Sequence, residues 1–173
     1  YSDLMRQSGL AKELREYLDD LLLRLDEGTT HYLRIQLELA ITMDALGGYE
    51  YEAAALYTDV IDVYERNSPP NTGLDLALTR LAYAGHLRLR GDYDAAYENL
   101  DAAAIAFAAN NNSYNAARAY HQIGLLSAMQ GDLEQATQNY ELALETLTDP
   151  NDNAYILRIE INIDLSTALL QSG

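Results

Sequence analysis

Apolar residues recur along this chain at steps of three and four for almost its whole length. Between Leu10 and Leu25 they are Leu10, Leu14, Tyr17, Leu18, Leu21, Leu22 and Leu25, which marks one face of an α-helix. Asp26-Glu27-Gly28 closes that pattern with glycine as the C-cap, and Thr29 or Thr30 offers a side-chain oxygen to the next helix. Further helices are predicted over Tyr32–Leu46, ended by Gly47-Gly48, and over Tyr51–Tyr64, ended by the loop Arg66-Asn67-Ser68-Pro69-Pro70-Asn71-Thr72-Gly73. The patterns at Leu74–Arg90, Asp92–Ala109, Tyr114–Gln130, Leu133–Thr146 and 154–171 complete the set, with polar breaks at Asn110–Ser113 and Thr148–Asp152. Residues 1–8 read as the end of an earlier helix. No stretch alternates at period two for long, so no strand is predicted, and the short connections make consecutive helices antiparallel neighbours.

The helices come in copies. Gly131-Asp132-Leu133-Glu134-Gln135-Ala136 restates Gly91-Asp92-Tyr93-Asp94-Ala95-Ala96, and Gly48-Tyr49-Glu50-Tyr51-Glu52-Ala53 is a looser version. A large residue follows each glycine at a fixed offset (Tyr57, Leu100, Tyr140), and then a pair: Val60-Ile61, Ala103-Ala104, Ala143-Leu144. Before each glycine stand Ala40-Ile41, Tyr83-Ala84, Ile123-Gly124 and Leu165-Ser166. The marker glycines Gly9, Gly48, Gly91, Gly131 and Gly173 are 39, 43, 40 and 42 residues apart. Asp132 and Gln135 have the spacing of an N-cap with its reciprocating third residue.

Together these positions resemble the tetratricopeptide repeat, a helix–turn–helix unit with small residues where its helices cross and a usual period of about 34 residues. The copy Tyr120, Ile123-Gly124, Gly131-Asp132-Leu133, Ala136, Tyr140, Ala143-Leu144 is the fullest, and the resemblance covers nearly the whole chain. The longer period adds about one turn per helix. It is similar to the long-repeat class of kinesin light chains and of the sensor region of maltose-regulator-type transcription factors. The family's proline at the end of the second helix is replaced by Glu65, Ala108 and Thr148. The resemblance implies an all-α, right-handed α-solenoid of stacked antiparallel helix pairs, about eight helices in all. It also implies a single array over 1–173, with approximate units 1–28, 29–71, 72–111, 112–151 and 152–173. Opening at Tyr1 and closing on a turn glycine, the sequence reads as a fragment of a longer protein. Its terminal helices would expose apolar faces, with Ile156, Ile159, Ile163 and Leu169 on the last, and could associate end to end.

Composition narrows the functions. The formal charge is −16, from 27 acidic and 11 basic residues, and such a surface repels phosphate backbones, so nucleic-acid binding is not expected. No apolar run approaches the ~18 residues of a membrane span, and a cytoplasmic protein is expected. Without cysteine, disulfides and thiolate metal sites are excluded. His31, His86 and His121 fall in different repeats, none with a second histidine at metal-pair spacing, and no Gly-rich phosphate loop or nucleophile elbow occurs. Neither an enzyme active site nor a cofactor or metal site is expected.

In the resembled family the first helix of each repeat lines a concave groove. Carried over by offset from each glycine, that arrangement places Glu38, Thr42, Leu81, Arg88, Arg118, His121, Gln122, Leu125 and Asp164 on the groove side, with Ala128 and Thr167. Second helices instead carry acids such as Asp94, Glu98, Glu134, Glu141 and Glu145. The expected function is a non-enzymatic protein- or peptide-binding scaffold. Arg88, Arg118 and His121 would meet an acidic group of the partner, beside apolar Leu81 and Leu125. The competing reading is a ligand- or protein-sensing domain of a larger signalling or transcription regulator.

Overall fold

The computed structural model describes residues 10–67, 73–148 and 150–172. The end of a helix read at 1–8 and the middle of the loop at 68–72 lie outside them. Among the described residues there are eight helices and no strand: α1 (Leu10–Leu22), α2 (Thr30–Leu46), α3 (Glu50–Asn67), α4 (Gly73–Arg90), α5 (Tyr93–Ala109), α6 (Ser113–Met129), α7 (Leu133–Thr146) and α8 (Asp152–Ser172). The chain divides within α4 into two compact units, Tyr1–His86 and Leu87–Gly173.

Local chemistry sets the ends of these helices. Thr29, Asn112, Asp132 and Asn151 each accept a hydrogen bond from a backbone N–H three residues on, so each satisfies an orphan donor of the helix it precedes. At the end of α6, Gly131 takes φ +84°, its N–H donates to Ala128 O, and the Asp132 N–H donates to Ser127 O at 2.9 Å. Gly91 repeats the arrangement with φ +79°, through Arg88 O and Leu87 O. This is a Schellman ending, which needs a left-handed residue and therefore favours glycine. Asn111, at φ 55°, does the same work at the end of α5 through Ala108 O and Phe107 O. The capping box expected at Asp132 forms by half. Gln135 does not reciprocate; its Oε1 lies 3.4 Å from the buried Ser127 hydroxyl, which also reaches Ile123 O at 3.1 Å, and the Asp132 N–H is already used by the Schellman turn.

In the first unit α1 packs on α2 and α2 on α3. Leu18, Leu39, Ala40, Met43, Ala53 and Tyr57 form one apolar cluster, and Leu33, Val60 and Tyr64 a second. In the second unit α5, α6, α7 and α8 pack in sequence, and α6 also meets α8 directly. Its core joins Ala117, Ala136, Tyr140, Ala143, Leu147, Leu157 and Ile161. Small residues let the α6 and α7 backbones approach closely. A β-carbon at Gly124 would sit 2.4 Å from Tyr140 Cε1 and 3.2 Å from Ala136 O, so the tyrosine ring occupies the space a side chain there would need. Arg158 of α8 reaches back to donate to Leu147 O at 2.6 Å, satisfying a carbonyl at the end of α7.

Candidate functional site

The site is built on α6 and α8, the first helices of two successive repeats in the second unit. A 3.6-residue period puts Arg118, His121, Gln122, Leu125 and Met129 along one side of α6, and Asp164, Thr167, Ala168 and Gln171 along one side of α8. Where these sides meet over α7 there is a cleft of about 280 Å³, lined by Leu125, Ala128, Met129, Leu133, Tyr140, Asp164, Thr167, Ala168 and Gln171.

One polar link organises it. His121 is buried, and its Nε2 lies 2.7 Å from Asp164 Oδ2, a bond in which the imidazole N–H donates to the carboxylate. The imidazole ring also packs against that of Tyr140, with centroids 5.7 Å apart. Burial, and then the Asp164 charge, push the Tyr140 phenol up to about 12. Thr167 donates its hydroxyl to Ile163 O at 2.8 Å, which leaves its oxygen lone pairs available to the cleft.

The first unit holds a second such link. Asp44 accepts from the Tyr57 hydroxyl at 2.9 Å and lies 2.7 Å from Nδ1 of the buried His86. The rings of Tyr57, Tyr83 and His86 pack on one another, and burial, followed by Asp44, pushes the Tyr57 phenol upward. The two His–Asp pairs span 42 and 43 residues, one repeat each, so both tie a first helix to the first helix of the next repeat. Arg34 meets both carboxylate oxygens of Asp75 across 41 residues in the same manner, with the arginine exposed and the aspartate largely buried. Sequence reasoning misses the Asp44–Tyr57–His86 network. Its signal is a histidine and an aspartate one repeat apart on first helices.

The structure separates the other expected site residues by environment. Glu38 is exposed on α2, whereas Thr42 is buried and donates its hydroxyl to Glu38 O at 2.7 Å. Leu81 is buried as well. Arg88 is half-buried, with an Nε that no hydrogen bond meets among the described residues. Arg118 is exposed, donates to Asn115 Oδ1 at 3.0 Å and lies 5.9 Å from the Tyr114 ring centre. Gln122 and Leu125 are half-buried. Of the nine, the structure brings His121, Leu125 and Asp164 together, and the histidine expected to meet an acidic partner group already meets Asp164.

Among the described residues no three His, Asp or Glu side chains gather as a metal would require, and no helix is long and apolar enough to cross a membrane. The α8 side chains Ile156, Ile159, Ile163 and Leu169, expected to be exposed, are exposed, as is Leu170.

No protein-family model and no curated protein sequence matches the chain. Solved structures do. BtubC (BKLC) from P. vanneervenii matches at TM-score 0.82 and 18% identity, over 99% of this chain and 70% of that one. A Podosopora anserina protein with nearly identical TPR-like repeats of kinesin-light-chain type matches at TM-score 0.77 and 18% identity, over 99% of this chain and 83% of that one. A variant of that protein with one glutamine replaced by methionine matches at TM-score 0.78, with the same identity and coverage. The helix pairs, the small residues at their crossings and these likenesses agree: the chain is an all-α repeat protein with the TPR-like fold.

Proposed function

We propose that this chain is a non-enzymatic protein- or peptide-binding module, and that in its second unit the binding face is the side of α6 and α8 that opens the cleft. The observation that carries this reading is the contrast between the two kinds of helix. The first helices α6 and α8 supply a concave, largely apolar opening with Gln122 and Arg118 further along α6. The second helix α7 turns Glu134, Glu141 and Glu145 to solvent. An extended or helical segment laid along α6 would cover Leu125 and Met129.

Peptides selected on the chain from a random display library test this. Met129 is half exposed, at 51%, so Met129→Arg leaves the fold intact while obstructing the cleft. Binding of the selected peptides should fall at least about tenfold in Met129→Arg and stay unchanged in Glu141→Ala. Equal binding to both variants would remove the α6/α8 face from consideration.

A further inference from the structure

The geometry points to a specific occupant for the cleft between α6 and α8: the side chain of a lysine on a basic segment of a partner protein. The inference rests on the reading of α6 and α8 as the binding face and names what that face recognises.

Size comes first. At about 280 Å³ the cleft falls below the ~300–1,000 Å³ typical of sites that enclose a drug-sized ligand, so it suits one side chain. Its walls are apolar, through Leu125, Ala128, Met129, Leu133 and Ala168, and would cover an aliphatic stem. Its one charged lining residue is Asp164. Of the Asp164 carboxylate, Oδ2 is taken by His121, and among the described residues no hydrogen bond meets Oδ1. His121 is itself buried and packed on Tyr140, so the carboxylate is held in place before any ligand arrives.

The acceptors present decide between the basic side chains. An arginine fork is best satisfied by both oxygens of a carboxylate, and here one is already engaged. An ammonium carries three N–H donors on a compact head. Asp164, Thr167 and Gln171, each carrying an oxygen acceptor, all belong to the lining, with Thr167 spending its own proton on Ile163 O. Charge at longer range agrees. The chain carries −16 and has a single lysine of its own, so a basic segment is drawn toward it, and the exposed Glu160 lies one turn before Asp164 on α8.

The test is an NMR titration of the isotopically labelled chain with three probes: a glycine-flanked tetralysine peptide, its Nε-acetylated form and a tetra-arginine peptide of equal length. The expected result is saturable shifts at Leu125, Met129, Ala168 and Gln171 with the lysine peptide. Acetylation, which keeps the stem and removes the charge, should weaken binding at least about tenfold, and the arginine peptide should also bind more weakly. Asp164→Asn should cost a similar factor. Glu141→Gln, which removes the same charge from the exposed side of α7, should leave binding unchanged. The inference is overturned if the acetylated peptide binds equally well, if both charge variants weaken binding alike, or if no cleft resonance saturates. Because acetylation leaves the protein untouched, the result does not depend on how Asp164→Asn folds. Library-selected peptides that still bind this face after such a failure would show that the lysine assignment fell and the binding face did not.

Discussion

Replacing Gly124 by alanine would place a methyl group 2.4 Å from Cε1 and 2.5 Å from Cδ1 of Tyr140, with Ala136 O at 3.2 Å. Two effects then compete. Alanine in a helix interior is favoured over glycine by about 0.8–1.0 kcal/mol. Overpacking a close contact costs about 1–3 kcal/mol, and here the ring has little room to yield. Tyr140 is 2% exposed and packs on His121, which is tied to Asp164, so moving the ring disturbs that pair too. The clash should win, with a net loss of up to about 2 kcal/mol and a midpoint lower by up to about 8 °C for a chain of this length. Gly85 supplies the internal control. It lies within α4, and a β-carbon there meets nothing within 4 Å, so Gly85→Ala should raise the midpoint by about 2–4 °C. Thermal unfolding followed by circular dichroism reads both. If Gly124→Ala stabilises the chain as Gly85→Ala does, α6 and α7 do not approach as described and the register of the repeat is wrong.

Ala136 is fully buried at the same crossing, so Ala136→Leu should cost about 1–3 kcal/mol, read as a lower denaturation midpoint. Asp44→Ala should cost about 1–3 kcal/mol for each buried group it orphans, the Tyr57 hydroxyl and the His86 Nδ1–H, and urea unfolding measures the loss. At alkaline pH the chain should weaken. Tyr64 and Tyr140 hold their protons up to about pH 12 in the folded chain against 10.0 when unfolded, so their contribution is intact below pH 10 and is lost as pH rises through about 12. Tyr57 shifts in the same direction. Tyrosinate absorbance, recorded beside the unfolding midpoint, should show a late-titrating class that merges with the rest once the chain unfolds.

The helices are legible in the sequence because their apolar period and their terminal residues agree. Leu133–Thr146 can be read to the residue, since Asp132 caps its start and the left-handed Gly131 just before it closes α6. Asn111 makes the same ending as Gly131 without glycine's signature, so its turn reads only as a polar break. Thr42 shows a limit of periodicity. A helical threonine can satisfy its hydroxyl on a carbonyl of the previous turn, as Thr42 does on Glu38, and so enters the core at little cost. The repeat offset places His121 and Asp164 each on the groove side, but it does not pair them. A contact of 2.7 Å between residues 43 apart depends on how two repeats stack, which residue spacing within one repeat does not encode.

The binding reading stands or falls with the α6/α8 side of the second unit, and a crystal structure of the chain with a library-selected peptide bears on it without intermediate steps. Peptide density is expected along α6 over Leu125 and Met129, with a side chain entering the cleft beside Asp164. A peptide seated instead on the acidic outer side of α7, across Glu134, Glu141 and Glu145, would refute it.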